Sequence, residues 1–231
     1  MSTIHFIGGE KGGVGKSVVA RLCAQYCIDK AIPFVAADAD GSHGALMRFY
    51  ADYTRPVELT DAGSVDQLLE IATESDRRVV VDLPAQSDRL LAAWIEEAGI
   101  LELAAEAGVK IVFWHVIDDG KDALNTLGRL LGRYGERARY CVVKNAGRGK
   151  FFTLFDESPA RAEADRLGAA VIELPELSPA VMQKIDRLDA SFWAAAQGTT
   201  GPDTFTRMER QRVKVWLTAA YDQLAKLPDL L

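Results

Sequence analysis

The sequence predicts an α/β fold of three layers, in which a mostly parallel, twisted sheet lies between helices on both faces. Short apolar segments rich in Val, Ile and Phe alternate with segments of helical periodicity along most of the chain. These apolar segments are continuous rather than alternating, which is typical of strands buried on both faces. Polar residues follow several of them, and ligands of such sheets bind beyond the carboxyl ends of the strands. We therefore expect the functional residues at one edge of the sheet.

The predicted elements alternate in the order that this fold requires. Strands are predicted at residues 3–7, 33–37, 78–82, 109–116, 138–144 and 169–174, with a short extended segment at 57–59. Helices are predicted at residues 17–28, 65–72, 88–107 with an interruption near Gly99, 123–134, 159–167 and 205–227. Residues 198–203 form the only clear linker in the sequence. We expect one domain over residues 1–197, followed in 198–231 by the linker and an amphipathic helix that packs on the same domain.

Composition and charge limit the class of protein. The chain has 231 residues, of which 48% are hydrophobic and 26% charged, as in an ordinary globular protein. A net charge of −6 argues against a wholly basic nucleic-acid-binding protein, although it allows a local basic patch. No apolar run approaches the roughly 18 residues of a membrane span, and we expect no signal peptide. Three cysteines provide no disulfide framework, so the expected location is cytoplasmic.

Residues 9–17, Gly-Glu-Lys-Gly-Gly-Val-Gly-Lys-Ser, are the most informative stretch. They lie between a predicted strand and a predicted helix. Their last three residues, Gly-Lys-Ser, match the last three positions of the phosphate-binding loop G-x-x-x-x-G-K-[ST]. Backbone N–H groups can surround a phosphate chain where no Cβ blocks the approach, and the helix N-terminus adds its positive dipole end. Lys16 is predicted to contact the terminal phosphates and Ser17 to place its hydroxyl on Mg²⁺. The residues predicted to hold the nucleotide phosphates are Gly12, Gly13, Val14, Gly15, Lys16 and Ser17.

The same loop carries a second lysine, Lys11. One lysine serves the nucleotide bound by its own chain, and a second can serve a nucleotide across a dimer interface. Lys11 would there neutralise the charge that develops during hydrolysis. The loop thus predicts an ATPase that works as an ATP-bridged homodimer.

Three carboxylates follow predicted strands. Asp38 and Asp40 lie on the same side of an extended segment, and Asp82 ends the apolar run Arg78-Val79-Val80-Val81. Such carboxylates can hold Mg²⁺ directly or through water and can position an attacking water. The predicted metal site consists of Ser17, Asp38, Asp40 and Asp82, and the predicted catalytic residues are Lys11, Lys16, Asp40 and Asp82.

Asn145 follows another predicted strand, and its side-chain amide can donate and accept at once, as an adenine edge requires. A plain turn residue is the alternative interpretation. Pro175, after the last predicted strand, is expected to flank the base, with a helix-starting proline as the alternative. His5 and His115 are expected in the core or at a sheet edge. For His43, just after Asp40, a contact with the site is one interpretation, and the absence of any role there is the favoured one.

These residues resemble the signatures of the deviant Walker A ATPases, the ParA/MinD family. Lys11-Gly12-Gly13-Val14-Gly15-Lys16-Ser17 matches the family pattern K-G-G-x-G-K-[ST]. The segment 38–40 resembles its D-x-D switch I, the segment 82–85 resembles its D-x-P-[AG] switch II, and Asn145 stands where the family has an adenine-reading Asn. The resemblance implies a P-loop NTPase fold, ATP or ADP with Mg²⁺ as ligands, and a slow hydrolysis that a partner protein stimulates.

Two positions depart from the family pattern. Gln86 replaces a glycine that often follows D-x-P-A, and Gly41 replaces a proline that often follows the second switch I aspartate. A contact of the γ-phosphate with the backbone at residue 86 is therefore in question, with a contact through the side-chain amide of Gln86 as the alternative, and switch I is expected to be looser.

The C-terminal end resembles the TraL- and StbB-type proteins encoded on mobile plasmids, which also pair this loop with a terminal helix containing R-Q-R-x-K. Here that stretch is Arg210-Gln211-Arg212-Val213-Lys214. Non-specific DNA binding by Arg207, Arg210, Arg212 and Lys214 is one interpretation, and a solvated helix face is the other.

Three functional classes follow from the sequence. The first is an ATP-switched positioning protein of plasmid partition or transfer. The second is a MinD-like switch on a membrane surface, which needs a terminal amphipathic helix free to insert; a core role of that helix is the favoured interpretation. The third is a metallochaperone or reductase ATPase, which needs cysteine ligands; Cys23, Cys27 and Cys141 are instead expected to be buried.

Overall fold

The computed structural model describes residues 1–9, 11–41, 44–198 and 204–227. Its centre is a seven-stranded sheet in which every described strand pairing is parallel. The strand order is β3-β2-β4-β1-β5-β6-β7. The strands are β1 (Thr3–Gly8), β2 (Phe34–Asp38), β3 (Thr54–Pro56), β4 (Arg78–Asp82), β5 (Lys110–Ile117), β6 (Arg139–Asn145) and β7 (Ala170–Leu174).

Helices connect these strands. They are α1 (Lys16–Asp29), α2 (Ala45–Phe49), α3 (Ala62–Glu74), α4 (Asp88–Glu97), α5 (Ile100–Glu106), α6 (Lys121–Tyr134), α7 (Thr153–Asp156), α8 (Pro159–Arg166), α9 (Pro179–Arg187), α10 (Phe192–Gln197) and α11 (Arg207–Leu224). Because parallel neighbours need a crossover between them, the strand and helix alternation of the sequence is what forms the three layers.

The two faces of the sheet have separate cores. Apolar residues of α1, α2, α9, α10 and α11 pack on one face, around Trp114 and Cys141 of the sheet. Apolar residues of α3, α4, α5, α6 and α8 pack on the other, around Phe6 and Phe113. Strand side chains alternate between the two faces, so that a strand buried on both faces must be apolar throughout. The predicted three-layer α/β fold is confirmed.

The strand order places the carboxyl ends of β2, β4, β1 and β5 next to one another. β1 lies between β4 and β5, with Ile7 opposite Asp82 on one side and Gly8 opposite His115 on the other. Asp82 also faces Asp38 of β2 in register. The chain passes from β1 through α1 to β2 on one side of the β1–β5 pair, and from β5 through α6 to β6 on the other side. Ligands of open parallel sheets bind at the carboxyl ends of the strands where the connections diverge in this way.

Helix α11 packs its apolar stripe into the first core. Thr206 and Glu209 form a capping box at its start, and Trp216 donates its indole N–H to the Pro175 carbonyl oxygen at 2.7 Å. Val213, Ala220 and Leu224 are buried against the body of the protein. The division at residue 197/198 remains a prediction, since residues 199–203 lie outside the described part of the chain.

Several local predictions need correction. The expected extended segment at 57–59 is wrong in position: the edge strand is Thr54–Pro56, and only the Val57 N–H continues its pairing, to the Asp38 carbonyl oxygen at 2.9 Å. Helices α2, α7, α9 and α10 were not predicted; α2, α7 and α10 have only four to six residues. The interruption near Gly99 is confirmed, since that residue has φ 60° and separates α4 from α5. Among the described residues, no helix combines the length and apolar character needed to cross a bilayer.

Candidate functional site

The loop between β1 and α1 has the backbone conformation that its glycines permit. Gly9, Gly13 and Gly15 have φ values of 135°, 79° and 101°, which side chains with a Cβ rarely adopt. The Gly15 carbonyl oxygen accepts the N–H groups of Val18 and Val19 and so begins the helix. A Cβ at Gly15 would lie 2.2 Å from the Asn145 Nδ2 atom. Glu10, within this loop, lies outside the described residues.

Lys16 is buried at the start of α1, with 7% of its surface exposed. Its ammonium donates to the Lys11 carbonyl oxygen at 3.0 Å, so the side chain contacts the backbone of its own loop. Burial lowers the pKa of Lys16, and the carboxylates of Asp82, Asp88 and Asp40 act in the opposite direction. A desolvated ammonium in this position gains strongly from an anion.

Asp82 is the most unusual group of the site. It is 1% exposed, and neither carboxylate oxygen has a hydrogen-bond partner within the described ranges. Burial raises the pKa of Asp82 to about 7, while the hydroxyl of Ser17 and the ammonium of Lys16 lower it. The Ser17 hydroxyl thus faces the carboxylate without completing a hydrogen bond of ordinary geometry. Buried carboxylates without partners are rare and call for an explanation.

Asp38 has a different environment from Asp82. Its Oδ1 accepts the Asp40 N–H at 3.1 Å and its Oδ2 accepts the Met47 N–H at 3.0 Å. Burial raises the pKa of Asp38, and these two backbone donors lower it. Asp38 therefore shapes the switch I segment in this structure, while Asp40 lies half-buried beside it. The predicted role of Asp38 as a metal ligand remains a prediction.

Oxygen donors for Mg²⁺ converge at this edge. The unpartnered Asp82 carboxylate, the Ser17 hydroxyl and the Asp40 carboxylate are hard ligands, and Mg²⁺ is commonly held by one or two carboxylates together with waters and substrate phosphates. No cluster of three or more His, Cys, Asp or Glu side chains that could hold a metal occurs among the described residues. The residues present therefore fit Mg²⁺ delivered with phosphates better than a metal held by protein alone.

Asn145 and Pro175 share one pocket, of about 160 Å³. The Asn145 amide nitrogen donates to the Val14 carbonyl oxygen at 2.7 Å, and its oxygen accepts the Gly147 N–H at 3.0 Å. Asn145 therefore contacts the backbone of the phosphate loop and also lines the pocket. The pocket is also lined by Val18, Arg148, Leu174, Met182, Gln183 and Trp216, which the sequence did not single out.

Lys11 is held within its own chain. Its ammonium forms an ion pair with Asp118, at 2.5 Å from Oδ2, at the end of β5. This partner, which hydrogen-bonds to the lysine, raises the pKa of Lys11. Asp118 was not predicted, because an aspartate in a loop more than a hundred residues away carries no motif.

Gln86 has a backbone conformation that is typical of glycine. Its φ is 60°, in the left-handed region, and its side chain is exposed. The backbone therefore keeps the form that the family's glycine allows, at a cost of about 1 kcal/mol for a residue with a side chain. Gln86 and Lys11 line an open basin together with Asn125 and Arg129 of α6.

The basic residues of α11 do not form one cluster. Arg210 donates to the Phe205 carbonyl oxygen at 2.7 Å and is half-buried, so it is less available to DNA than an exposed arginine, and its predicted role remains a prediction. Arg207 and Lys214 are exposed and lie two turns apart on one side, whereas Arg212 lies on another side of the helix. Only Arg207 and Lys214 remain as neighbouring candidates.

His5, His115 and the three cysteines are buried in the core. Burial lowers the pKa of His5 to about 3 and that of His115 to about 4. Cys23, Cys27 and Cys141 are free and buried, and burial raises their thiol pKa values. His43 lies outside the described residues.

Known proteins resemble this chain at low identity. No family model matches it. Protein MobD of Acidithiobacillus ferrooxidans is 27% identical over 188 residues, which cover 79% of this chain and 82% of MobD. A protein TraL of Escherichia coli is 24% identical over 237 residues, which cover 97% of this chain and 98% of TraL.

Solved structures resemble this chain in overall fold. MinD of Aquifex aeolicus, in a complex with MinC, has a TM-score of 0.58 at 15% identity and covers 97% of this chain and 96% of its own. MinD of Pyrococcus horikoshii, complexed with Mg-ADP, has a TM-score of 0.55 at 16% identity and covers 98% of both chains. This chain has the MinD fold. The predicted resemblance to the ParA/MinD family, with TraL-like relatives, is confirmed.

Proposed function

We propose that this chain is a ParA-like ATPase that binds ATP with Mg²⁺, dimerises across the nucleotide and acts as a switch in plasmid partition, transfer or cargo positioning. The observation that carries the proposal is Asp82, a buried carboxylate without a hydrogen-bond partner among the described residues, beside Ser17 and Lys16 at a glycine loop. Sequence similarity to MobD and TraL and the MinD fold support the same function.

The residues of the site suit phosphoryl transfer to water. The backbone of residues 12–15 and the Lys16 ammonium would hold the phosphate chain, with the base in the pocket of Asn145 and Pro175. Ser17, Asp40 and Asp82 would hold Mg²⁺, which neutralises charge on the phosphates. Asp40, whose side chain is half-buried, would orient an attacking water.

Nucleotide binding is tested with two lysine variants. A fluorescent ATP analogue is titrated into the wild-type chain, into Lys16→Ala and into Lys110→Ala, with Mg²⁺ present. Lys110 begins β5 at the opposite edge of the sheet, so its removal controls for the loss of one charge. We expect at least a tenfold loss of affinity for Lys16→Ala alone. Equal affinity of Lys16→Ala and wild type would reject the site.

Hydrolysis and dimerisation need separate measurements. Phosphate release is expected to be slow in the isolated chain and to be lost in Lys16→Ala. ATP-dependent dimerisation is expected to require Lys11. If the Lys11→Ala variant dimerises and hydrolyses ATP as the wild type does, Lys11 has no role at the nucleotide of the partner. A partner protein that stimulates hydrolysis and a cytoplasmic location remain parts of this proposal.

The alternatives have less support in the structure. A MinD-like membrane switch needs a free apolar helix face, but the stripe Val213, Trp216 and Leu217 of α11 lies in the core. Residues 228–231, which include Asp229, lie outside the described part. A metallochaperone needs thiolate ligands, but burial disfavours the thiolates of Cys23 and Cys141. Co-sedimentation with liposomes and metal analysis of the purified chain would reveal either function.

A further inference from the structure

Arg21 is a buried cation on the helix that begins at the phosphate loop. It lies on α1 and only 2% of its surface is exposed. Its guanidinium carbon lies 3.5 Å from the centroid of the Phe49 ring and 4.7 Å from that of Phe192. Its Nε and one terminal nitrogen have no hydrogen-bond partner among the described residues. Two aromatic rings and the carboxylate of Asp186 therefore hold this cation in place.

Asp186 connects Arg21 with the pocket proposed for the base. It lies on α9, and its Oδ1 accepts a hydrogen bond from Arg21 at 2.8 Å. The Asp186 side chain is 51% exposed, compared with 3% for Arg21. The same residue lines the pocket of about 160 Å³ that contains Asn145 and Pro175. A base that enters this pocket would therefore displace water from a carboxylate that is already paired with a buried cation.

The other end of the connection is α2, the helix that follows switch I. Phe49 is the last residue of α2, and Asp38 of switch I accepts the Met47 N–H of the same helix at 3.0 Å. Arg48 adds a second contact, since it donates to the Asp186 carbonyl oxygen at 3.4 Å. The end of α9 thus contacts both the helix of the phosphate loop and the helix that holds switch I.

We propose that Asp186 is a positioning residue that couples the base pocket to switch I. A base bound beside Asp186 strengthens its ion pair with Arg21, and the guanidinium then holds Phe49 and α2 in place. The inference rests on the proposed nucleotide site. An ion pair strengthens when water is removed from it, because the effective dielectric constant falls. Phosphates bound by the glycine loop without a base leave water at Asp186, and the pair stays as it is.

The coupling gives the base a task in turnover as well as in binding. Asp40, which would orient the attacking water, belongs to the switch I segment that Asp38 ties to α2. A complete nucleotide therefore orders this segment more than its phosphates alone do. By linkage, an ordered switch I raises the affinity of the site for a ligand that carries a base.

Amide hydrogen exchange of the full chain, followed by mass spectrometry over α2, measures how often this helix opens. Exchange is compared without ligand, with Mg²⁺ and ADP, and with Mg²⁺ and tripolyphosphate, which has no base. Both ligands are used at concentrations that fully displace a fluorescent ADP analogue. In wild type, we expect ADP to slow exchange about fivefold and tripolyphosphate to slow it less than about twofold.

Two variants and their combination test whether Asp186 acts through Arg21. Asp186→Asn removes the charge but keeps an oxygen that can accept from Arg21, and Arg21→Met removes the buried cation and leaves Asp186 open to water. Each variant alone should reduce the effect of ADP to less than about twofold, and the double variant should lose no more. Asp165→Asn is the matched control, because Asp165 is a half-exposed partner of Arg161 on α8, at the other face of the sheet.

Support for the proposal is a loss of the ADP effect in Asp186→Asn, no further loss in the double variant, and a wild-type response in Asp165→Asn. Equal protection of α2 by ADP in wild type and Asp186→Asn overturns the role of Asp186. A further loss in the double variant shows that Asp186 does not act through Arg21.

Two results separate the inference from the proposed function. If ADP binds wild type without slowing exchange in α2, or if tripolyphosphate slows it as much as ADP does, the coupling is overturned and the proposed function stands. If the fluorescent ADP analogue does not bind wild type, the proposed function fails and the coupling fails with it.

Discussion

Replacing Asp82 by Asn is expected to stabilise the nucleotide-free protein at pH 8 and to abolish its binding of ATP with Mg²⁺. The carboxylate is 1% exposed and has no hydrogen-bond partner within the described ranges. Asn has nearly the same shape and carries no charge, so it removes the cost of burying an unpaired ion. It also removes an oxygen ligand that Mg²⁺ requires.

The magnitude follows from the pKa of Asp82, which burial raises from 3.8 to about 7. Each tenfold change in proton affinity corresponds to about 1.4 kcal/mol, so the ionised carboxylate lowers the free energy of unfolding by at most about 4 kcal/mol. The folded protein holds this proton more tightly than the unfolded chain does. The stability contributed at Asp82 therefore falls as pH rises from about 4 to about 7 and is constant above that range.

Urea denaturation of wild type and Asp82→Asn at pH 4.5, 6 and 8 measures this difference, and other titrating groups cancel in the comparison. The advantage of the variant should grow with pH and vanish near pH 4. Asp38→Asn is the matched variant on the neighbouring strand, and it should instead lose about 1–3 kcal/mol because both Asp38 oxygens accept backbone N–H groups. An Asp82→Asn protein that is no more stable than wild type at pH 8 would refute the reasoning.

Three further predictions concern the loop, switch II and α11. Gly15→Ala should weaken nucleotide binding at least tenfold in a fluorescence titration, because its Cβ would lie 2.2 Å from the Asn145 amide at a φ of 101°. Gln86→Gly should raise the free energy of unfolding by up to about 1 kcal/mol in urea, because residue 86 already has the left-handed conformation. If DNA is a ligand, Arg207→Ala with Lys214→Ala should weaken ATP-dependent binding and reduce its salt slope by roughly 2 per chain in a salt titration.

Matched controls separate these effects from general damage. Gly128→Ala, in α6 with no atom near its Cβ position, should leave nucleotide affinity unchanged. Gln211→Gly, in the exposed part of α11, should destabilise the protein by about 1 kcal/mol, opposite in sign to Gln86→Gly. Lys30→Ala with Arg55→Ala should not alter a salt slope. Loss of affinity in Gly128→Ala equal to that in Gly15→Ala would contradict the steric explanation.

The fold was largely predictable because the inner strands contain continuous apolar runs that only a doubly covered sheet can bury, whereas the mispredicted edge strand, Thr54–Pro56, has no such run. The runs at 78–82 and 109–116 are within a residue of β4 and β5. Helix α2, of five residues, was not predictable in this way. Helix α2 depends on Asp38, whose Oδ2 accepts the Met47 N–H, and such a long-range cap leaves no periodic signal.

The candidate site was predictable where a chemical role needs a particular residue at a fixed spacing, as at Lys16 and Ser17. The hydrogen-bond partners of each side chain were not predictable, since they depend on neighbours from other strands. Asp38 and Asp82 look equivalent in sequence, yet two backbone donors satisfy the first while the second has none within hydrogen-bond geometry in the described part. Arg210 likewise looks like any basic residue of α11 until its contact with the Phe205 carbonyl oxygen is known.

The two loop lysines are linked through one residue. Lys16 donates to the carbonyl oxygen of Lys11, and the Lys11 ammonium is paired with Asp118. A phosphate chain that draws Lys16 outward must take it from the Lys11 carbonyl oxygen, because that hydrogen bond and a phosphate contact compete for the same buried ammonium. Residue 11 then loses one of the two contacts that fix it. Binding of nucleotide by one chain would therefore remove one of the two contacts that fix the lysine proposed to serve the other chain.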